Sequence, residues 1–188
     1  LFLFSIGVTK GKWGTLLNAL FAFKEDYDNN APLERVLPKV LADNPQRYQG
    51  MGLRDLSDEM FRAMSKLGTT KALSEAFAVL PHPDMSPVEA YEHLVKDMVE
   101  TLTLDEMAGR TLATGVVPYP PGIPLLMPGE NAGPADGPLL GYLKALEAFD
   151  REFPGFTHDI HGVEAEDGKY RIICCLLYTS PSPRDGLL

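Results

Sequence analysis

The sequence predicts an α+β fold. Three observations carry that prediction. Apolar residues recur at helical spacing in several segments, a Ser-Pro-x-Glu start opens one of them, and the chain closes on an Asp-Gly turn between strand-like runs. No internal repeat interrupts this order.

Leu1 to Ile6 reads as a buried strand. The period then changes: Trp13, Leu16, Leu17, Leu20 and Phe21 fall at i, i+3, i+4, i+7 and i+8, one apolar stripe of a helix. Asp26, Asp28, Asn29 and Asn30 end it, because short polar side chains compete for backbone hydrogen bonds. Pro32 suits the first turn of a short helix to Val40, with Pro38 ending or kinking it. Leu53, Leu56, Met60 and Met64 form a second stripe, with Asp55, Asp58 and Arg62 on the wet side, and Gly68 stops that helix. "TTKALSEAFAVL" is a further short helix, closed by Pro81 and Pro83.

Ser86 is an N-cap, Pro87 the first helical residue and Glu89 the third, which predicts a helix to about Met98. Thr103 and Glu106 repeat the spacing and predict another short helix, ended by Gly109. "RTLATGVVPYPPGIPLLMPGE" reads as two short strands around a proline corner. A linker would not carry Ile123, Leu125, Leu126 and Met127 in one run. "GPLLGYLKALEAFD" is helical, with Leu139, Tyr142, Leu143, Leu146 and Phe149 inward, and "DIHGVEAEDGKYRII" is a hairpin around Asp167-Gly168.

The chain has 188 residues, 45% hydrophobic and 23% charged, the balance of a globular protein. A net charge of −9 and a pI near 4.9 argue against nucleic acid and anionic membrane as partners. No apolar run reaches the roughly 20 residues of a membrane helix. The chain opens without Met on a strand-like run, and further sequence is expected upstream. From Cys175 to Asp185, "CLLYTSPSPRD" resembles a translated sequencing adapter, so residues 175–188 are set outside the expected fold. Cys174 then stands alone, which is no disulfide framework and no zinc site and suits a reducing cytoplasm.

Candidate chemistry is sparse. "GVTKGK" has three residues between Gly7 and Gly11, where a phosphate loop needs four, and Trp13 stands where Ser or Thr would hold magnesium; an ordinary helix start accounts for it better. His158 and His161 would point to opposite faces of a strand and are read as solvated or structural rather than metal ligands. No Gly-x-Ser-x-Gly elbow occurs, and Asp105 with Glu106, like Glu25 with Asp26, would splay apart on a helix. The residues alone supply no complete catalytic set.

"LFLFSIGVTKGKWGTLLNALFAFKEDYDNNAPL", "MGLRDLSDEMF", "VVPYPPGIPLLMPGEN" and "FPGFTHDIHGVEAEDGKYRIIC" together resemble the C-terminal part of the bacterial ornithine/lysine/arginine decarboxylases. "GKWGTL", "YDNNAPL" and "GEN" before "YLKALEAFD" are most similar to the acid-inducible arginine branch. The lysine enzymes share the proline loop and "DIHG", and "LLMPGE" is lysine-like.

The resemblance implies pyridoxal 5'-phosphate enzymes of the aspartate-aminotransferase fold, in which the cofactor ring takes up the electrons left by departing CO2. It places the catalytic and cofactor-binding residues upstream of Leu1, so none is assigned here and the piece alone is expected to be inactive. Lys10, Lys12 and Lys24 do not replace the cofactor lysine, because the family's lysine follows a His and no His-Lys pair exists here. By the same resemblance residues 1–28 end the aminotransferase-like small domain and residues 29–174 form the C-terminal domain, beside the entrance to the active site. A guanidinium substrate would want carboxylates and aromatic faces there, and Tyr119 and Glu130 are the candidates. The family also implies a homodimer that assembles into larger rings at low pH. A non-catalytic regulatory or assembly module is the reading from another class.

Overall fold

The computed structural model describes residues 9–119 and 122–176; the strand expected at Leu1 to Ile6 lies outside them. Contacts divide the chain into two compact units. One holds the chain to Thr70 with Ala148–Thr157, the other Lys71–Glu147 with the chain from His158.

The first unit holds α1 (Lys10–Asp28), α2 (Leu33–Val36), α3 (Pro38–Asp43), α4 (Pro45–Tyr48) and α5 (Leu53–Leu67), and a core of Leu33, Tyr48, Leu56, Ala63, Phe149 and Phe153 joins α2 to α5. The helix expected from Pro32 to Val40 is two helices. Leu37 leaves helical geometry at φ −138°, because the ring of Pro38 disfavours the α region in the residue before it, while Pro38 itself begins α3. The apolar stripe of α1 is not sunk in this core: Trp13, Leu17, Leu20 and Phe21 are exposed.

The start of α5 joins two of the quoted motifs. Its N-cap position is Gly52, which has no side chain to offer. Asn30, in the left-handed region at φ 46°, supplies the cap instead: Oδ1 accepts from the amides of Arg54 (3.0 Å) and Asp55 (3.2 Å), and Nδ2 donates to Asp55 Oδ2 (2.8 Å). Asp55 Oδ2 also accepts from the Gly52 amide (3.1 Å), and backbone bonds Leu33 N to Met51 O and Leu53 N to Ala31 O close the junction. Gly52 is required by space, since a Cβ there would lie 2.5 Å from the Asn30 carbonyl oxygen. Asn30 and then Gly52 hold the Asp55 carboxyl below its usual range.

The second unit contains most of α6 (Thr69–Ala76), then α7 (Pro87–Val95), β1 (Val99–Thr103), β2 (Val117–Tyr119), most of α8 (Pro138–Glu152), β3 (Asp159–His161), β4 (Glu164–Glu166) and β5 (Lys169–Cys175). An antiparallel sheet runs β1-β5-β4, with Leu102 opposite Ile172 and Val99 opposite Cys175, and β2 pairs antiparallel with β3. Leu139, Tyr142, Leu143 and Leu146 of α8 are buried with Met107, Leu112, Val116, Leu126 and Ile172, as their spacing predicts. Asp167 and Gly168 both take positive φ, 51° and 72°, the paired geometry of a tight hairpin turn.

Three expectations change here. The Thr103–Glu106 box forms, with Glu106 Oε2 accepting from the Thr103 amide (2.9 Å) and hydroxyl (2.7 Å), but it caps a turn and no helix follows, because Thr103 ends β1. α7 stops at Val95, short of Met98, where Asp97 enters the left-handed region at φ 56°. Strand β5 runs one residue past the expected end of the fold: Cys175 is buried and its amide donates to Thr111 O (2.9 Å).

Candidate functional site

The proline segment is braced on both sides of its turn. In β2 and β3, Pro118 and Ile160 are opposed and buried, whereas Tyr119, Asp159 and His161 face outward. The Tyr119 ring is 46% exposed and stacks on His161 at 4.9 Å between centroids. The Gly122 amide closes the corner onto Pro118 O (2.8 Å), at φ 77°, and a Cβ at Gly122 would sit 2.7 Å from the Tyr119 ring. Glycine is thus needed for both backbone and space. The return pairs through isolated contacts, Val116 N to Leu126 O (2.9 Å) with Leu125 N to Val116 O (2.8 Å), and Gly129 N to Leu112 O (2.8 Å) with Leu112 N to Glu130 O (2.9 Å). The two short strands expected here are therefore β2, a corner and isolated bridges rather than a continuous ladder, since proline has no N–H to give one.

Beyond the corner, Gly129, Glu130 and Asn131 each have a defined task. Gly129 stands at φ 88° with its Cα against the 85–86 backbone; its carbonyl accepts from the amides of Asp84 (2.9 Å) and Met85 (3.2 Å). The Glu130 carboxylate turns back on its own loop and accepts from the Met127 amide (2.8 Å). Asn131 Nδ2 donates to Asp84 Oδ2 (2.7 Å) and Gly109 O (3.1 Å), while its Oδ1 accepts from the Gly133 amide (2.9 Å).

Asp84 gathers this region. Its carboxylate accepts from the buried Thr111 hydroxyl (2.6 Å) and from Asn131, and lies 3.3 Å from His82 Nδ1. The Thr111 hydroxyl lowers the Asp84 pKa most, Asn131 and His82 add to that, and burial opposes them. Beside it a mostly apolar cavity of 280 Å³ is lined by Leu80, Pro81, His82, Asn131, Pro134 and Leu139, among others.

Tyr119 ends β2 and Glu130 lies beyond the corner, and they take different partners, an exposed imidazole for one and a backbone amide for the other. No group of three or more His, Cys, Asp or Glu side chains placed to hold a metal occurs among the described residues. Asp105 pairs with Lys144 and Glu106 with Thr103, so the adjacent carboxylates act separately. Burial pushes the Cys174 thiol up to about 12, which leaves no thiolate nucleophile. Asp84, Thr111 and His82 were not singled out from sequence. Thr111 lies 27 residues and Asn131 47 residues from Asp84, so no local spacing marks the cluster. No helix among the described residues is long and apolar enough to cross a membrane.

Residues 70–176 match the family model described as Orn/Lys/Arg decarboxylase, C-terminal domain. The chain is 44% identical over 174 residues to the biodegradative arginine decarboxylase of Escherichia coli K12, covering 93% of this chain and 23% of that protein. It is 48% identical over 168 residues to a lysine decarboxylase of Pseudomonas aeruginosa, covering 89% and 22%. The solved lysine decarboxylase A from Pseudomonas aeruginosa superposes at a TM-score of 0.83 with 46% identity, over 92% of this chain and 24% of that one. The Escherichia coli constitutive lysine decarboxylase superposes at 0.82 with 37% identity, over 93% and 25%. The chain therefore spans about a quarter of the length of the relatives it matches.

Proposed function

The chain belongs to the Orn/Lys/Arg decarboxylase C-terminal-domain family, and on that premise we propose that it is the carboxyl-terminal part of a cytoplasmic enzyme that decarboxylates a basic amino acid, arginine to agmatine and CO2 in the first reading. The observation that supports this is the use made of the shared motifs. "YDNNAPL" meets "MGLRDL" through Asn30 and Gly52, and "GEN" closes on Asp84. Lysine is the second reading, favoured by the higher identity to the Pseudomonas aeruginosa enzyme.

The family's chemistry requires pyridoxal 5'-phosphate on a desolvated lysine. The described lysine side chains do not fit that requirement. None is buried; even the least exposed, Lys144, is tied to Asp105. On this reading the cofactor belongs to the portion that precedes this chain in its longer relatives, and so does the bond-breaking chemistry. This chain's share is to shape the approach to that portion, residues 29–174 forming the C-terminal domain and residues 1–28 closing the small domain before it. Tyr119 presents an aromatic surface to a cationic substrate, and Glu130 is the carboxylate beyond the corner, held on the Met127 amide. The enzyme works as a homodimer that builds larger rings in mild acid.

The experiment is to express the complete gene with its upstream sequence and to measure CO2 release from arginine, lysine and ornithine. Release from arginine in excess of the others supports the first reading. Release from lysine alone replaces it with the second, and release from none removes both.

A further inference from the structure

We propose that the outer stripe of α7, formed by Val88, Tyr91 and Val95, is a docking surface for the catalytic portion of the same polypeptide, the part that precedes this chain in its longer relatives. This rests on the family reading of the whole enzyme.

The helix is inverted for one that meets water on its outer side. It buries its smallest apolar side chain, Ala90, completely, and exposes three larger ones: Val88 at 68%, Tyr91 at 63% and Val95 at 66%. These three fall at i, i+3 and i+7, so they form one continuous stripe. The helix cannot rotate to hide them. Ala90 is wholly buried in a cluster with Met85, Val99, Ala113, Ile173 and Cys175. The N-terminus is fixed by reciprocal bonds, Glu89 N to Ser86 Oγ (3.3 Å) and Ser86 N to Glu89 Oε2 (2.8 Å), with Pro87 as the first helical residue. Met85 just before it is bonded to Gly129.

The occupant follows from chemistry and length. The nearest charges on this side, Glu92 and Lys96, pair with each other at 2.8 Å, so the stripe offers apolar area rather than net charge and suits a protein surface, not an ionic ligand. About three quarters of the length of the curated relatives lies outside this chain, and the matched domain is the carboxyl-terminal one, so a large body of the same polypeptide stands upstream to cover it.

The test uses the full-length enzyme. Single cysteines are placed at 88, 91 and 95, with Lys96→Cys as the reference, and maleimide labelling is followed by mass spectrometry. The first three are expected to label roughly tenfold or more slowly than the reference; equal rates overturn the docking. In parallel, benzoylphenylalanine replaces Tyr91 and is photo-activated. A crosslink within one chain, mapped upstream of Leu1, supports the assignment, while a product of twice the chain mass gives the stripe to a second copy and overturns it. CO2 release measured on the same variants separates the two inferences. An intrachain crosslink in an enzyme that decarboxylates no basic amino acid defeats the functional reading and leaves the docking intact.

Discussion

Asn30 is the most informative place to perturb the first unit, because one carboxamide caps a helix whose own N-cap is a glycine. Asn30→Ala removes the acceptor for the Arg54 and Asp55 amides and the donor to Asp55, and loss of such a cap costs about 0.5–2 kcal/mol. Alanine must also hold φ 46°, where a Cβ residue is penalised by roughly 1–2 kcal/mol. The sum is about 1.5–4 kcal/mol, and at about 2–4 °C per kcal/mol for a chain of this size the melting temperature falls by roughly 3–16 °C.

Asn30→Gly separates the two contributions. It relieves the backbone but not the cap, and should lose only about 1 kcal/mol. Asn30→Asp keeps both amide acceptors but sets a carboxylate against Asp55, so its loss should shrink as acid neutralises the pair. The Asp55 carboxyl is held below its usual range mainly by Asn30, so it stabilises the fold above the unfolded-state value near 3.9 and ceases to do so as pH falls through the lower, folded value. In Asn30→Ala that acid dependence should flatten. Urea and thermal unfolding across pH 3–7 measure all of this. If alanine and glycine at position 30 proved equal, or either matched the parent within about 0.3 kcal/mol, the trans-cap account would be refuted.

The other predictions concern the second unit and the whole enzyme. Gly129→Ala should lose about 3 kcal/mol or more in urea unfolding, since its Cβ would lie 3.1 Å from both Met85 C and Ser86 O at φ 88°. Gly141→Ala, in α8 with nothing nearby, should gain about 0.5–1 kcal/mol in the same assay. Asp84→Asn should cost about 1.5–3 kcal/mol at neutral pH, because two strong acceptor bonds lose their charge. The depressed Asp84 pKa makes its contribution present above the unfolded value and lost in acid, so the difference from the parent should vanish as pH falls, read by chemical denaturation. The full-length enzyme should sediment as dimers at neutral pH and as larger rings in mild acid, as its surplus of 26 acidic over 17 basic residues in this portion is neutralised. Unchanged sedimentation would remove that idea.

What the sequence disclosed was local. The stripe of α8, the Ser86–Glu89 box and the Asp167-Gly168 turn each lie within a few residues, and each formed. Strand β1 escaped notice because "VETLT" is short and its last residue, Thr103, also begins a capping box, which resembles a helix start. The Asp84 cluster and the Asn30–Gly52 junction escaped for another reason. Apart from His82, which adjoins Asp84, their partners are 22 to 47 residues apart, and side chains brought together by folding leave no period in the chain. The candidate loop was visible through its prolines, yet the different partners of Tyr119 and Glu130 depend on neighbours that spacing does not reveal.

The two adjacent cysteines carry a practical consequence. Both are fully buried at the end of β5, and burial pushes both thiols up, so at neutral pH they stay protonated. Alkylating and oxidising reagents should therefore pass over this portion while it is folded and mark it once β5 opens. The pair is a built-in reporter of unfolding, silent in the native state, and engineered thiols on α7 can be read without removing it.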